Sequence, residues 1–466
     1  MTFSIEEVLN ATGGKLLQGE RNGLVQGIST DSRTIGEGEL YFALKGERFD
    51  GHHYALEALG KRAAGVVVEE AKARDIRWNG YQSKAIILVK DTLQALGDLA
   101  REKRRRYRTP VVALTGSNGK TTSKEMVAAC LETTFPVLKN RGNWNNLIGL
   151  PLTLLRLTEK ERVVVLEMGM NVPGEIRRLT EIAEPDVGLI TNIQKVHLEG
   201  LGSLERIKEE KGELFRKMKR DGTIVVNRDD ARVADLARTF PGQKITFGIE
   251  EPSDVMAGDI KLRGAKGTSF NLVFEGEETE IVLPLLGRHF VPDALAAVAI
   301  SALFGIGLGT VKEVLERFRP APMRMEVVSL GAGKTLINDA YNANPGSMEK
   351  ALETLAEMKG GGRAIAVLGD MRELGSFAEE AHLQLGRRVG ELSIDFLLAL
   401  GDWAPMVVES AIRHGMERER TRVLENHGEA LSFLRRVMQE GDWVLIKGSR
   451  RMAMETIAEG LAEGRA

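Results

Sequence analysis

Apolar residues recur along this chain in runs whose length and spacing change from region to region. Up to about residue 90 the runs are short. LYFAL (40–44), GVVVEE (65–70) and AIILV (85–89) each predict a strand. Residues 91–106 have helical spacing and lead into a second region. There VVALTG (111–116), RVVVLEMG (162–169), VGLITN (187–192) and GTIVVN (222–227) are continuous Val/Ile/Leu runs. Such runs suit parallel strands that helices cover on both faces, and helical patterns lie between them. From residue 248 to 285 the pieces shorten and alternate, which predicts an antiparallel edge. Residues 294–308 form the most apolar stretch and predict a buried, alanine-rich helix. They fall short of the roughly 20 residues that span a bilayer. Arg319, Pro320, Ala321 and Pro322 predict a stiff linker, since two prolines block a helix. Beyond it TLINDA, RAIAVLGD, DFLLALG and DWVLIKG alternate with helical patterns, so a second doubly wound α/β unit is expected. The predicted fold class is α/β throughout.

Length and composition narrow the possibilities. The 466 residues suggest two to four domains. With 43% hydrophobic and 28% charged residues, the composition is that of an ordinary soluble protein with several cores. A net charge of -2 gives no reason to expect a nucleic-acid or anionic-membrane partner. The basic run REKRRRYR (101–108) reads as a solvated helix end or linker. The single cysteine, Cys130, excludes an internal disulfide framework and falls on the apolar face of a predicted helix. The N-terminal MTFSIEEVLN carries acids where a secretory signal carries bases. A cytoplasmic protein without membrane insertion is expected, and a monomer.

Chemistry first shows itself at Thr115, Gly116, Ser117, Asn118, Gly119, Lys120, Thr121 and Thr122. The segment follows a predicted strand and opens a predicted helix. Small residues let successive N–H groups curl around phosphate oxygens, and the helix start adds a positive dipole end. Lys120 can reach the β- and γ-phosphates, and the Thr121 hydroxyl can ligate Mg²⁺. Leu114 stands where the strict phosphate-loop pattern has its first glycine. A GTPase is the obvious competitor, because NRDD (227–230) approaches the N-K-x-D guanine reader. Arginine replaces its lysine, however, and the chain has no D-x-x-G segment, which argues against a GTP switch.

Further candidates stand at the ends of predicted strands, where open α/β sheets bind ligands. Glu167 ends RVVVLEMG, and a carboxylate there suits Mg²⁺, a hard cation; a carboxylate bonded into a turn is the plainer reading. His197 follows VGLITN, and a lone histidine is more often structural. Lys211, in LERIKEEKGELF, reads by itself as a surface lysine paired with neighbouring glutamates. Taken together, TGSNGKTT, LEMGMNVPGEI, TNIQKVHLEGLGS and EEKGELF resemble the Mur ligases in order and spacing. These are three-domain, ATP-dependent amino-acid ligases of cell-wall synthesis, and the resemblance covers nearly the whole chain. It implies a small N-terminal UDP-binding α/β domain (1–88), a central P-loop mononucleotide-binding parallel-sheet domain (89–318) and a C-terminal Rossmann-like domain (319–466). It also implies that Lys211 is carbamylated and that Glu167 and His197 help hold the metals. An ammonium repels Mg²⁺, whereas its carbamate presents oxygens to it.

The same resemblance bears on substrates. STDSRTIGEGELYFALKGERFDGHHYALEAL looks like the UDP-binding domain of the two later ligases, which implies UDP-sugar contacts at Ser29, Asp31, Ser32 and Arg33. A polar turn is the plainer reading of those four. NWNNLIGLPLTLL is similar to the family segment that faces the sugar and implies contacts from Asn145 and Asn146. INDAYNANPGSMEKAL, VLGDMRELGSFAEEAH and LIKGSR resemble the members that add D-alanyl-D-alanine to a UDP-muramoyl-tripeptide. Tyr341, Asn342, Asn344 and Ser347 are then substrate contacts, and Arg324 and Asp339 nucleotide contacts. A D-N-P-R segment, usual in the preceding ligase, does not occur. The alternatives are that preceding ligase, folylpolyglutamate synthase, or a nucleotide-driven regulator without ligase chemistry. One departure concerns adenine. After Gly287, Arg288 and His289 the family commonly reads N-x-x-N, and here those positions are Phe290 and Asp293. His289 and Asp293 are the nucleotide contacts implied there. Asp293 can accept from the adenine amine, but an ionised carboxylate cannot donate.

Overall fold

The computed structural model describes residues 3–196 and 198–463, so the candidate His197 lies outside the described residues. Among the described residues three large sheets follow one another along the chain, each built mainly from the runs the sequence marks out, and Phe3–Ser4 pairs with Leu24–Val25 in a separate two-stranded ribbon. The first has five strands in the order Lys15–Gln18, Ala85–Val89, Gly65–Glu69, Glu39–Phe42 and Gly27–Ser29. Only Lys15–Gln18 runs antiparallel to its neighbour. The helix Thr92–Arg106 follows, its start capped by Asp91, whose carboxylate accepts from the Gln94 N–H. Its basic end is not the solvated run expected from sequence. Lys103 and Arg104 are buried. Lys103 Nζ lies 5.2 Å from the Phe3 ring centroid and 5.0 Å from that of Tyr107, while Arg104 pairs with Asp186 at 3.0 Å. Long cationic side chains cover apolar surface with their stems, and a pattern of charges along a sequence does not show this.

The second sheet has nine strands in the order Glu277–Leu283, Thr268–Phe274, Val255–Leu262, Gln243–Gly248, Thr223–Asn227, Val187–Ile190, Val111–Thr115, Val163–Glu167 and Val137–Lys139. The expected antiparallel edge is its first three strands, the innermost of which joins the parallel part at Gln243–Gly248. Val111–Thr115 has parallel neighbours on both sides, Val163–Glu167 and Val187–Ile190. The chain leaves this central strand in one direction and later returns on the other side. The carboxyl ends of the three strands therefore flank one crevice. Behind it the helix Lys120–Glu132 packs on the alanine-rich helix Val291–Leu303. The apolar run does not continue as one helix to Leu308. Gly305 (φ 73°) turns the chain, and Leu308–Arg317 is a separate helix.

The chain crosses once, through residues 319–325, which form neither helix nor strand, to a six-stranded sheet. Its order is Glu326–Gly331, Lys334–Asp339, Trp443–Lys447, Ala364–Gly369, Phe396–Leu400 and Thr421–Leu424, with only the first strand antiparallel. The helix Pro345–Met358 starts at the cap residue Asn344, and that residue also reaches the central region. Its Nδ2 donates to Asn118 Oδ1 at 2.7 Å. Among the described residues no helix is long and apolar enough to cross a membrane.

Candidate active site

The loop between Val111–Thr115 and Lys120–Glu132 requires glycine at two places. Gly116 has φ 154°, and a Cβ there would meet Thr191 Oγ1 at 1.8 Å. Gly119 has φ 80°, and a Cβ there would meet Asp293 Oδ1 at 2.5 Å. The loop is braced from the next strand end. Thr191 Oγ1 donates to the Asn118 carbonyl at 2.6 Å, and the Asn118 N–H donates to Asn192 Oδ1 at 2.9 Å. The Ser117 hydroxyl donates to the Gln194 carbonyl at 3.0 Å. Lys120 Nζ turns back to donate to the Gly116 and Ser117 carbonyls at 2.7 and 3.0 Å. Burial lowers its pKa, Arg324 lowers it further and Glu167 opposes both. Thr115, by contrast, donates its hydroxyl to the Met168 carbonyl at 2.8 Å, away from the crevice.

Glu167 is buried at the end of its strand. Asn140 clamps its backbone, accepting from the Glu167 N–H at 3.0 Å and donating to its carbonyl at 2.9 Å. Asn145 Nδ2 donates to Glu167 Oε1 at 2.7 Å, whereas the buried Oε2 has no hydrogen-bond partner among the described residues. An orphaned buried carboxylate oxygen beside phosphate-binding groups fits a divalent cation. Among the described residues, which do not include His197, no group of three His, Cys, Asp or Glu side chains forms a metal cluster. Asn146 turns its Oδ1 to the Ile148 and Gly149 N–H groups at a helix start.

Lys211 is not the surface lysine that its glutamate-rich neighbourhood suggests. It is 2% exposed, and Nζ donates to the Gly116 carbonyl at 2.9 Å. Among the described residues it has no carboxylate partner. Burial holds its pKa well below the ordinary lysine value, and the charge of Lys120 adds to this. The helix Leu204–Lys217 leaves Glu205 and Glu209 exposed and Glu210 and Glu213 half-buried, and it turns Lys211 inward.

Two cavities open from the phosphate loop. One, of about 370 Å³, gathers Ser117, Asn118, Gly119, Lys120, Thr121, Asn145, Asn146, Glu167 and Lys211 from the central region. From the C-terminal region it takes Arg324, Tyr341, Asn342, Asn344 and Ser347, and also Arg372, Ser449 and Arg450. The other, of about 550 Å³, takes Thr122, His289, Asp293, Arg324 and Asp339. The Arg324 guanidinium lines both and lies 4.0 Å from the Tyr341 ring centroid. Asp339 accepts from Lys447 Nζ at 2.5 Å and from the Met325 N–H at 3.1 Å. Burial pushes the His289 imidazole down to about 3, with Lys447 and Lys350 adding to it, so the ring is neutral. Asp293 Oδ1 accepts from the Ser123 hydroxyl at 2.5 Å, and burial pushes the carboxyl up to about 7. Near neutral pH much of it is protonated, and the neutral carboxyl can donate as well as accept. Asp229 and Asp230 spend their carboxylates on the N–H groups of residues 249–251 and of Ile193, Arg232 and Val233, which leaves no guanine reader. Ser29, Asp31, Ser32 and Arg33 line neither cavity. Arg33 donates in a fork to Asp31 and holds that carboxylate at about 2, with Ser29 Oγ accepting from the Asp31 N–H.

Comparison with known proteins decides the family. The Mur ligase middle domain matches residues 114–301, the Mur ligase glutamate ligase domain residues 323–450, and the Mur ligase family catalytic domain residues 24–104. The UDP-N-acetylmuramoyl-tripeptide–D-alanyl-D-alanine ligase of Bacillus subtilis (strain 168) is 37% identical over 440 residues, 94% of each chain. The chain belongs to the Mur ligase family. The crystal structure of MurF from Acinetobacter baumannii superposes with a TM-score of 0.90 at 32% identity, over 99% of both chains. That of the MurF ligase from Thermotoga maritima, in complex with ADP, has a TM-score of 0.83 at 28% identity, over 95% of this chain and 98% of that one.

In this Mur ligase several site residues escape sequence reasoning. Asn140, Asn192, Gln194, Arg372 and Lys447 act through contacts to distant residues; the segments TNIQKVHLEGLGS, VLGDMRELGSFAEEAH and LIKGSR contain four of them without singling any out, and Asn140 lies in none. Lys124 is the clearest case. It is 0% exposed, although in S-K-E it looks like a surface residue.

Proposed function

We propose that this Mur ligase is an ATP-dependent carbon–nitrogen ligase that joins D-alanyl-D-alanine to UDP-N-acetylmuramoyl-tripeptide. The product is the UDP-muramoyl-pentapeptide of peptidoglycan synthesis, made in the cytoplasm by a monomer. The reading rests above all on the 370 Å³ cavity, where the phosphate loop faces side chains of the C-terminal region. A site of this kind brings a nucleotide, an acceptor carboxylate and an amine together. The tripeptide carboxylate attacks the γ-phosphorus of ATP and ADP leaves. The D-alanyl-D-alanine amine then attacks the acyl-phosphate carbonyl. Phosphate departs, the nitrogen loses a proton and the amide remains. Lys120 offsets the charge that grows on the phosphate oxygens. Mg²⁺ supplies further charge neutralisation when bound, and Thr121, Glu167, His197 and a carbamate on Lys211 are the groups that would hold it. The carbamate forms when the neutral Lys211 amine adds to CO₂ and releases one proton. Residues 1–88 take the UDP-sugar at Ser29, Asp31, Ser32 and Arg33, residues 89–318 carry ATP, and residues 319–466 present the dipeptide at Tyr341, Asn342, Asn344 and Ser347.

The test is a substrate panel with products identified by mass spectrometry. Amide product and phosphate are expected only with ATP, Mg²⁺, the UDP-muramoyl-tripeptide and a D,D-dipeptide all present. Equal turnover with meso-diaminopimelate or glutamate as the amine would reject the reading. Hydrolysis of ATP without either acceptor would point to a regulator instead.

A further inference from the structure

Two lysines are buried close to the phosphate loop, and their surroundings differ. Among the described residues Lys211 Nζ meets only a carbonyl, that of Gly116. Lys124 Nζ donates to the Asn140 carbonyl at 3.0 Å and to Glu125 Oε1 at 2.9 Å, and it stands 4.0 Å from Glu167 Oε2. That oxygen is the orphaned one. The distance is too long for a hydrogen bond and short enough for strong attraction in a buried setting. Glu125 does not neutralise Lys124 alone, because its Oε2 also pairs with Lys139 at 2.9 Å. Part of the Lys124 charge is therefore left to face Glu167. Asn140 joins the two groups, its carbonyl taking Lys124 and its side chain taking both backbone groups of Glu167.

We propose that Lys124 is the resident counter-ion of Glu167. It keeps the carboxylate extended and in place when no divalent cation is bound. It also opposes that cation, so the metal binds weakly and exchanges with each nucleotide. Lys124 is a positioning residue, since it touches Glu167 and no substrate. A buried carboxylate without this partner would hold a cation more tightly, or fold toward another donor once the cation left. The inference rests on the reading of Glu167 as a metal-holding carboxylate.

The experiment titrates the full-length, nucleotide-free protein with Mn²⁺ at one neutral pH and follows the free hexaaquo ion by electron paramagnetic resonance. Lys124→Met should bind Mn²⁺ about tenfold more tightly, the order expected when a partly screened unit charge close to the site is removed. Lys124→Arg, which keeps the charge, should bind as the parent does. Glu125→Gln leaves more of the Lys124 charge to Glu167 and should bind more weakly. Opposite shifts in the two neutralising variants cannot come from general loosening of the fold. In steady-state assays Lys124→Met should show a lower kcat together with a lower Mg²⁺ concentration for half-activation. Unchanged or weaker Mn²⁺ binding in a folded Lys124→Met protein overturns the proposal. If that variant does not fold, unchanged or tighter binding in Glu125→Gln overturns it. Glu167→Gln separates the two readings: Mn²⁺ binding equal to the parent's would remove Glu167 from the metal site, and this inference with it, while product identity in the ligase assay would stand untouched.

Discussion

Lys211 carries the sharpest expectation at the scale of a single residue. Burial and the nearby Lys120 depress its pKa, which makes the neutral amine available to CO₂. Lys211→Ala should lose ligase activity while keeping its thermal melt, and short carboxylic acids should restore part of the activity by filling the vacated space. Lys211→Arg should also be inactive, because a guanidinium does not deprotonate near neutral pH to take up CO₂. Near-normal turnover in Lys211→Arg would refute the carbamate. Asp293 gives a pH expectation whose sign follows from burial. Its folded pKa is raised from 3.8 to about 7. Such a group contributes stability that is fully present below the unfolded value and is lost as pH rises through the folded one. Asparagine titrates in neither state. The melting temperature of Asp293→Asn should therefore gain on the parent's between pH 3.8 and about 7 and keep a constant lead above that range. A difference that stays flat across that range would mean that the native carboxylate is ionised throughout. The same variant should keep ATP use, since the amide still accepts; loss of ATP binding by calorimetry would give the side chain another job.

At the scale of elements, the strands that carry the site were legible in sequence because continuous Val/Ile/Leu runs have few other uses in a parallel sheet. The phosphate loop was legible because its glycines and lysine are local to one another. Partners far apart in sequence were not. Asn140 stands just beyond the edge strand Val137–Lys139 and bonds to both backbone groups of Glu167, 27 residues on. No periodicity marks such a residue, because its side chain stands in for a missing strand partner. The strand Thr421–Leu424 was missed for a related reason, since it is short and half polar. Asn140→Ala would orphan a buried N–H and a buried carbonyl of Glu167. At about 1–3 kcal/mol for each unsatisfied group, it should destabilise the protein by roughly 2–6 kcal/mol in urea unfolding. An unchanged midpoint and slope would show that water replaces the amide at no cost.

At the scale of the whole molecule, Asn344 has two roles that one substitution can separate. Its Oδ1 caps the helix Pro345–Met358 by accepting from the Ser347 N–H, and its Nδ2 bridges to Asn118 in the phosphate loop. Asn344→Asp keeps the cap but has no donor for the bridge. The variant should melt near the parent temperature, scatter X-rays with a larger radius of gyration, and lose several-fold in kcat/KM for ATP. Parent-like scattering and kinetics together would show that other contacts hold the two regions closed. The bridge spans 226 residues of sequence, so only the assembled structure reveals it.

The single crossing at residues 319–325 has a consequence for how such a molecule changes over generations. All six strands of the last sheet come from chain beyond that crossing, and none returns to the central sheet. Inheritance can therefore treat the last third of the chain as a separable cassette. Recombination there would exchange the C-terminal side of the shared cavity while leaving the phosphate loop intact, provided the incoming piece kept an arginine at 324 and a donor at 344.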